Sequence, residues 1–289
     1  MTPTLAVMGD LLEDVVVWLH EPLAVGTDCS GEIHRTRGGS AANVAAAAAT
    51  LAAGEVAVRF LGCVGPDAAG DALVAELVGR GVDVRVQRRG TTGAVVILVD
   101  SSGERTMIPN RMASGLLERV DDDWLDEVDL FHVPAYGFCA EPVGTTAIDA
   151  LRRVRAAGGV TSIDASSVGM LESWGRDRII ALLADLAPDH LLANADEAEF
   201  LRLLDQPGWA ARTTLVVKRG AAATLVIVPG DEPVEVPVSP VPDVLDSTGA
   251  GDAFAAGYLT AVLQGNTPEA AAAAGNVAGG LALSGPGAL

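Results

Sequence analysis

Asp246-Ser-Thr-Gly-Ala-Gly-Asp252-Ala-Phe-Ala-Ala-Gly257 is the stretch on which the reading of this 289-residue chain turns. A strand-like, proline-punctuated run, Val234 to Val241, precedes it, and an alanine-rich apolar run, Ala253 to Leu263, follows. Gly249, Ala250 and Gly251 therefore fall at a strand-to-helix junction. Two glycines and an alanine allow a tight turn and a close approach of backbone N–H groups to a ligand. The first N–H groups of the following helix have no intrahelical partner, and the helix dipole adds partial positive charge, so the turn is an anion site. Asp252 stands in the first turn beside it. A carboxylate there can take a proton from a hydroxyl while the N–H groups hold developing negative charge, which is the chemistry of phosphoryl transfer to an alcohol. The plainer alternative is an ordinary helix start in which Asp252 only complements the dipole.

A second glycine pair opens another alanine-rich helix, Gly38-Gly39-Ser40-Ala41-Ala42-Asn43, running to about Ala53. Other marked pieces follow in order: Gly9-Asp-Leu-Leu-Glu-Asp14, Phe60-Leu-Gly-Cys-Val-Gly65-Pro-Asp67 with Gly70-Asp71, Arg80-Gly-Val-Asp83, Gly103-Glu-Arg-Thr106, Asn194-Ala-Asp-Glu197, Val217-Lys-Arg-Gly220 and Ser284-Gly-Pro-Gly-Ala288. Together these segments resemble the ribokinase-like carbohydrate kinases, the phosphofructokinase-B family, over nearly the whole chain. The resemblance implies one ribokinase-like domain over residues 1–289 and a small β-sheet lid built from 15–37 and 93–110. It implies ATP and Mg2+ as cofactors, with K+ at a further site, a small-molecule sugar as co-substrate, and a homodimer joined through the lid.

The resemblance also distributes roles. Asp14 would hold sugar hydroxyls, since a carboxylate accepts two such bonds at once, with Asp10 beside it. Gly38 and Gly39 would admit the sugar close to the backbone, and Asn43 would bond its hydroxyls. Asn194 and Glu197 stand three apart at a helix start and share a face; a cap and a first-turn acid suffice to explain them, and the resemblance adds ordering of the magnesium–phosphate water shell by Glu197. Lys218 is the only lysine of the chain, set before Gly220 at a strand end where nucleotide phosphates would lie. Ala223 stands where many relatives have a second loop glycine. Asn276 resembles the position at the adenine edge. Asp246 and Thr248, with Ser284 and Gly287, resemble a monovalent-cation site.

Arg105 and Arg111 fall near the expected sugar mouth. Asn110-Arg-Met-Ala-Ser114 is similar to the Tyr-Arg-x-x-Ser-Ala stretch of 2-keto-3-deoxygluconate kinases, in which arginine meets a sugar carboxylate. Phosphosugar kinases of the family carry lysine after the paired glycines; Ser40 stands there instead. A neutral pentose or hexose is thus expected ahead of a sugar acid. A nucleoside kinase is disfavoured because Trp18 is the only aromatic between Asp10 and Arg37 and none lies between Ile97 and Leu117, whereas a base needs an aromatic platform. A non-catalytic sugar or nucleotide sensor on the same fold is the rival of another class; an intact Gly-Ala-Gly-Asp argues against it.

Composition and pattern bound the rest. Strands alternate with helices from Leu116 onward, which predicts an α/β fold: a central, mainly parallel sheet with helices on both faces. Strands are expected near 129–133, 160–164, 190–193, 213–217, 224–228 and 235–238, and helices near 142–156, 176–186, 195–204, 250–263 and 268–283. The formal net charge of −19 argues against nucleic acid or an anionic membrane as partner. Cys29, Cys63 and Cys139 form neither a disulfide framework nor a metal motif, and the amino terminus lacks the features of a signal peptide, so a reducing cytoplasm is expected. His20, His34, His132 and His190 show no ligand spacing. Neither a Walker-type phosphate loop nor a dinucleotide fingerprint occurs.

Overall fold

Strand β1 (Thr4–Met8) is buried along its whole length and apolar from Leu5 onward, because it is covered on both sides. Leu5 and Val7 enter one hydrophobic cluster, Ala6 and Met8 the other, as expected of a central strand in a parallel sheet. The computed structural model describes residues 2–205, 211–242 and 249–283. After β1 the chain makes β2 (Leu12–Leu19) and β3 (Gly31–Gly38), then α1 (Ser40–Ala52), β4 (Ala57–Val64), α2 (Ala68–Gly79) and β5 (Asp83–Arg88). Next come β6 (Ala94–Val99) and β7 (Arg105–Asn110). The second half runs β8 (Leu130–Pro134), α3 (Val143–Ala156), β9 (Val160–Asp164), α4 (Val168–Trp174), α5 (Arg176–Leu186), β10 (His190–Asn194) and α6 (Ala195–Leu201). It closes with β11 (Thr214–Arg219), β12 (Ala222–Ile227), β13 (Val234–Val236), α7 (Ala250–Leu263) and α8 (Pro268–Leu283).

Nine of these strands form one sheet in the order β13-β12-β11-β10-β9-β8-β1-β4-β5. It is parallel from β11 to β5, with β12 and β13 antiparallel at one edge. The parallel strands all end at one edge of the sheet, where ligand crevices of such folds lie. Helices α1, α7 and α8 cover one face with mostly alanine and glycine side chains, so they approach closely. A β-carbon on Gly257 would lie 2.8 Å from that of Ala278 and 2.9 Å from the Ala274 carbonyl oxygen. The amino-terminal ends of α1 and α7 also meet, Ser40 of α1 being hydrogen-bonded to Asp252 of α7. Helices α3 to α6 cover the other face.

The predicted lid is a separate four-stranded sheet, β3-β2-β6-β7, in which the hairpins β2–β3 and β6–β7 meet through a parallel β2–β6 contact. Its small apolar cluster is Leu12, Val95, Ile97 and Val99, with Val16 packed on it. Strand β2 starts at Leu12 rather than at Val15, because Leu12 is buried and pairs with Gly38. Asp14 consequently sits inside the lid strand, opposite Thr36, and not in a loop ahead of it. Helix α4 lies between the strand expected near 160–164 and the helix expected near 176–186, and α6 stops at Leu201 because Arg202 turns left-handed at φ +50°.

Candidate active site

Helix α7 begins after Gly249, which adopts φ 74° and ψ 0°, a left-handed conformation favouring glycine. Among the described residues no side chain caps the helix start, which leaves its first N–H groups available to a ligand. Gly251 is exposed, and among the described residues a β-carbon there would meet only the Lys218 ammonium, at 3.6 Å. Asp252, one residue on, is half-buried and held from α1. Ser40 Oγ donates to Oδ1 at 2.7 Å and Asn43 Nδ2 to Oδ2 at 2.9 Å. Ser40 and Asn43 are three residues apart and so share a helix face. The Asn43 amide is oriented in turn, because its Oδ1 accepts from Arg37 Nη1 at 2.5 Å while Arg37 Nε donates to Glu76 at 3.2 Å. Burial pushes the Asp252 carboxyl up to about 6, against the pull of the Ser40 and Asn43 donors. The group is therefore ionised at neutral pH yet more basic than a free aspartate, as a proton acceptor requires.

Most of the residues expected to meet the sugar gather around the same point. Asp14 is pushed up to about 6 by burial, with Arg37 opposing and the Asp252 charge adding to the rise. A β-carbon on Gly38 would lie 2.1 Å from Asp14 Oδ1, and one on Gly39 would lie 2.3 Å from the Asp10 carbonyl oxygen. Gly39 also has φ +99°. The glycine pair thus first makes room for the chain's own acids. Asp10 is engaged bidentately by Arg111, Nε to Oδ2 at 2.7 Å and Nη2 to Oδ1 at 2.5 Å. The guanidinium expected to face a sugar carboxylate already has one, from Asp10. Arg105 is not brought to this cluster: it pairs with Val99, whereas Asp14 pairs with Val95, and four residues of strand separate the rows by roughly 13 Å.

The nucleotide-side residues lie at the carboxyl ends of β10 and β11. Asn194 and Glu197 form a reciprocal capping box: Glu197 N donates to Asn194 Oδ1 at 2.9 Å, and Asn194 N donates to Glu197 Oε2 at 2.7 Å. Glu197 is 2 % exposed, and burial together with the Asp164 carboxylate pushes it up to about 7. Lys218 Nζ donates to Asp164 Oδ2 at 2.6 Å. Gly220, at φ +61° with open space around it, makes the tight β11–β12 turn in which Ala223 O accepts from Arg219. The Asn276 amide is spent on the fold: its Oδ1 accepts from Thr224 at 2.7 Å and its Nδ2 donates to Pro237 O at 3.2 Å. Asp246, Thr248, Ser284 and Gly287 lie outside the described residues.

Among the described residues no group of three or more His, Cys, Asp or Glu could hold a metal ion by itself. Mg2+ is commonly held by one or two carboxylates plus substrate phosphates. Glu197, a buried carboxylate at the start of α6, fits that arrangement. His132 and His190 are buried and neutral, both pushed down to about 4 by burial.

Three residues of the site do not stand out as site residues in the sequence. Ser40 is conspicuous there only as the residue in lysine's place. Asp164 does carry a signal: it is an acid ending the predicted strand 160–164, at the sheet edge where ligand crevices lie. Tyr136, half-buried beyond β8, lies within electrostatic reach of Asp252 and Glu197.

Comparison with known proteins identifies the family. The chain is 31 % identical over 287 residues to the fructokinase of Klebsiella pneumoniae, covering 92 % of this chain and 87 % of that one. It is 34 % identical over 251 residues to the ATP-dependent ribose-1-phosphate kinase of Halopiger xanaduensis, covering 84 % and 79 %. Its fold matches the crystal structure of adenosine kinase from Sinorhizobium meliloti with a TM-score of 0.84 at 24 % identity, over 99 % of this chain and 95 % of that one. Residues 4–289 match the pfkB family of carbohydrate kinases. The chain belongs to that family and is a carbohydrate kinase.

Proposed function

We propose that this kinase transfers the γ-phosphoryl group of ATP to a hydroxyl of a neutral pentose or hexose, with Asp252 as general base. The observation that carries the reading is the setting of Asp252: an ionised, partly desolvated carboxylate held by Ser40 and Asn43 beside an uncapped helix start. Asp14 and Asn43 hold sugar hydroxyls next to it, with Gly38 and Gly39 admitting the ring. Asp252 accepts the proton of the attacking hydroxyl. That oxygen bonds to the γ-phosphorus, the bond to the β–γ bridging oxygen breaks, and its electron pair leaves with ADP. The amides of the Gly249–Gly251 turn and the Lys218 ammonium take up negative charge on the transferring group. Glu197, fixed by Asn194, would hold Mg2+ through water, and the ion would supply neutralisation of phosphate charge when bound with the nucleotide. The lid sheet, with Asp14 on its β2 strand, closes over the sugar and keeps water from the phosphoryl group.

A neutral substrate is favoured because the Arg111 guanidinium is already neutralised by Asp10. The test is ADP release measured against a panel of ribose, fructose, 2-keto-3-deoxygluconate, nucleosides and a no-acceptor control. A pentose or hexose is expected to give the highest kcat/KM. Preference for the acid or a nucleoside would overturn the substrate class, and no acceptor-dependent release at all would leave a binding protein.

A further inference from the structure

Lys218 stands on β11 and Asp164 on β9, with β10 between them: Lys218 is in register with Asn194, and Asp164 with Leu192. Two strand spacings separate them by about 10 Å across the sheet, before any offset along it. Only a long side chain crosses that gap, and Lys218 Nζ does so to meet Asp164 Oδ2 at 2.6 Å. Asp164 is fixed before the lysine arrives. Its Oδ1 accepts from the Ser166 N–H at 2.8 Å, and Ser166 adopts φ +72°, a conformation that costs a serine energy. Ser166 Oγ accepts from Ala135 N at 2.9 Å, tying this turn to the end of β8.

The ammonium held in this way lies 3.6 Å from where a β-carbon on Gly251 would stand and 5.9 Å from the centre of the Phe254 ring. It is thus aimed at the start of α7. Among the described residues Asp164 is its one hydrogen-bond partner. An ammonium has three N–H donors, so two remain for a ligand. A buried ion pair contributes little net stability, which leaves its placement at the sheet's functional edge in need of another reason.

We propose that Asp164 is a positioning residue for Lys218, holding the ammonium beside the α7 amides where it meets the γ-phosphoryl group during transfer. This rests on the reading above that the phosphates lie at the Gly249–Gly251 turn. Burial would lower the Lys218 pKa, but the carboxylates of Asp164, Glu197 and Asp252 outweigh it and hold the ammonium above the usual range.

Because Lys218 is the only lysine, reductive methylation with peptide-resolved mass spectrometry reads it separately from the terminal amine. Asp164→Asn should speed methylation of Lys218 at pH 8 by about tenfold or more, since the charge that holds the proton is gone. Methylation of the wild-type lysine should need a higher pH than that of a free lysine, near 10.4. A bound non-hydrolysable ATP analogue with Mg2+ should protect it. In kinetics Asp164→Asn should lower kcat while KM for ATP changes less than threefold, Asp164→Glu should restore part of kcat, and Asp164→Asn should cost nothing further in a Lys218→Met background. Unchanged methylation in Asp164→Asn, or an undiminished further loss in Lys218→Met, would overturn the proposal. If Asp164→Asn fails to fold, the wild-type pH profile decides: a lysine titrating at the ordinary value refutes it. The methylation arms need no turnover, so their failure is distinct from a wrong choice of base or sugar.

Discussion

Asp252→Asn should separate catalysis from stability in opposite directions. The carboxyl is raised from 3.8 to about 6 in the folded protein. A raised acid means that ionisation costs the folded state. That cost is absent below pH 4, grows as pH rises from the unfolded value, and is complete above pH 6 or so. A rise of that size corresponds to ~3 kcal/mol at most, and solvent access to the half-buried group reduces this to ~1–3 kcal/mol. Asparagine removes the charge at little geometric cost. Its Oδ1 can accept from Asn43, while the Ser40 hydroxyl turns to accept from its amide. The variant should therefore melt ~2–6 °C above the wild type at pH 8 and no higher than it at pH 4. Turnover with the best sugar should fall ~10²–10⁴-fold, the usual loss of a general base, with ATP binding nearly intact. Melting curves at the two pH values and coupled ADP release give both readings on one preparation. A variant keeping more than about a tenth of the rate would refute Asp252 as the base. A melting difference that does not grow between pH 4 and pH 8 would refute the desolvated carboxylate.

Gly251→Val should keep the melting temperature within a few degrees, because the site around position 251 is open apart from Lys218, yet nearly abolish phosphoryl transfer; comparable losses of both would make Gly251 a folding residue. Arg111→Ala should leave the ratio of KM for 2-keto-3-deoxygluconate to KM for fructose within threefold, because the guanidinium serves Asp10; a selective loss for the acid of tenfold or more, as a charged bidentate pair would give, would restore the sugar-acid reading. The lid leaves Trp18, Ile33, Met107 and Ile108 exposed on a sheet with open edges at β3 and β7; we expect a homodimer there, converted to monomer by Ile33→Asp with Ile108→Asp, and light scattering that finds the wild type monomeric at micromolar concentration would refute it.

The fold is readable because its local signals agree with one another. Continuous apolar runs such as Leu5 to Met8 mark strands covered on both faces, and alanine-rich runs mark α1 and α7. What escapes is set by contacts distant in sequence. Whether Asp14 belongs to a loop or a strand depends on Leu12 pairing with Gly38. The left-handed Arg202 that ends α6 follows no glycine or proline. No helix among the described residues is long and apolar enough to cross a membrane, which agrees with the short alanine runs.

At the site, the difference between what is legible and what is hidden has one cause. Sequence motifs locate groups whose role depends on their own backbone, such as the Gly249–Gly251 turn or the Asn194–Glu197 cap. They do not locate groups whose role is to hold another residue. Ser40 acts on Asp252 from 212 positions away, and Arg111 reaches Asp10 across 101. Asp164 meets Lys218 across 54. In each case a neighbour distant in sequence bears on the residue first noticed: Ser40 and Asn43 hold the Asp252 carboxylate, Asp10 occupies the Arg111 guanidinium, and Asp164 holds the ammonium of the lone lysine. In the mechanism proposed above the motif carries the transfer, and of these long-range partners Asp10 bears on substrate charge by occupying the Arg111 guanidinium.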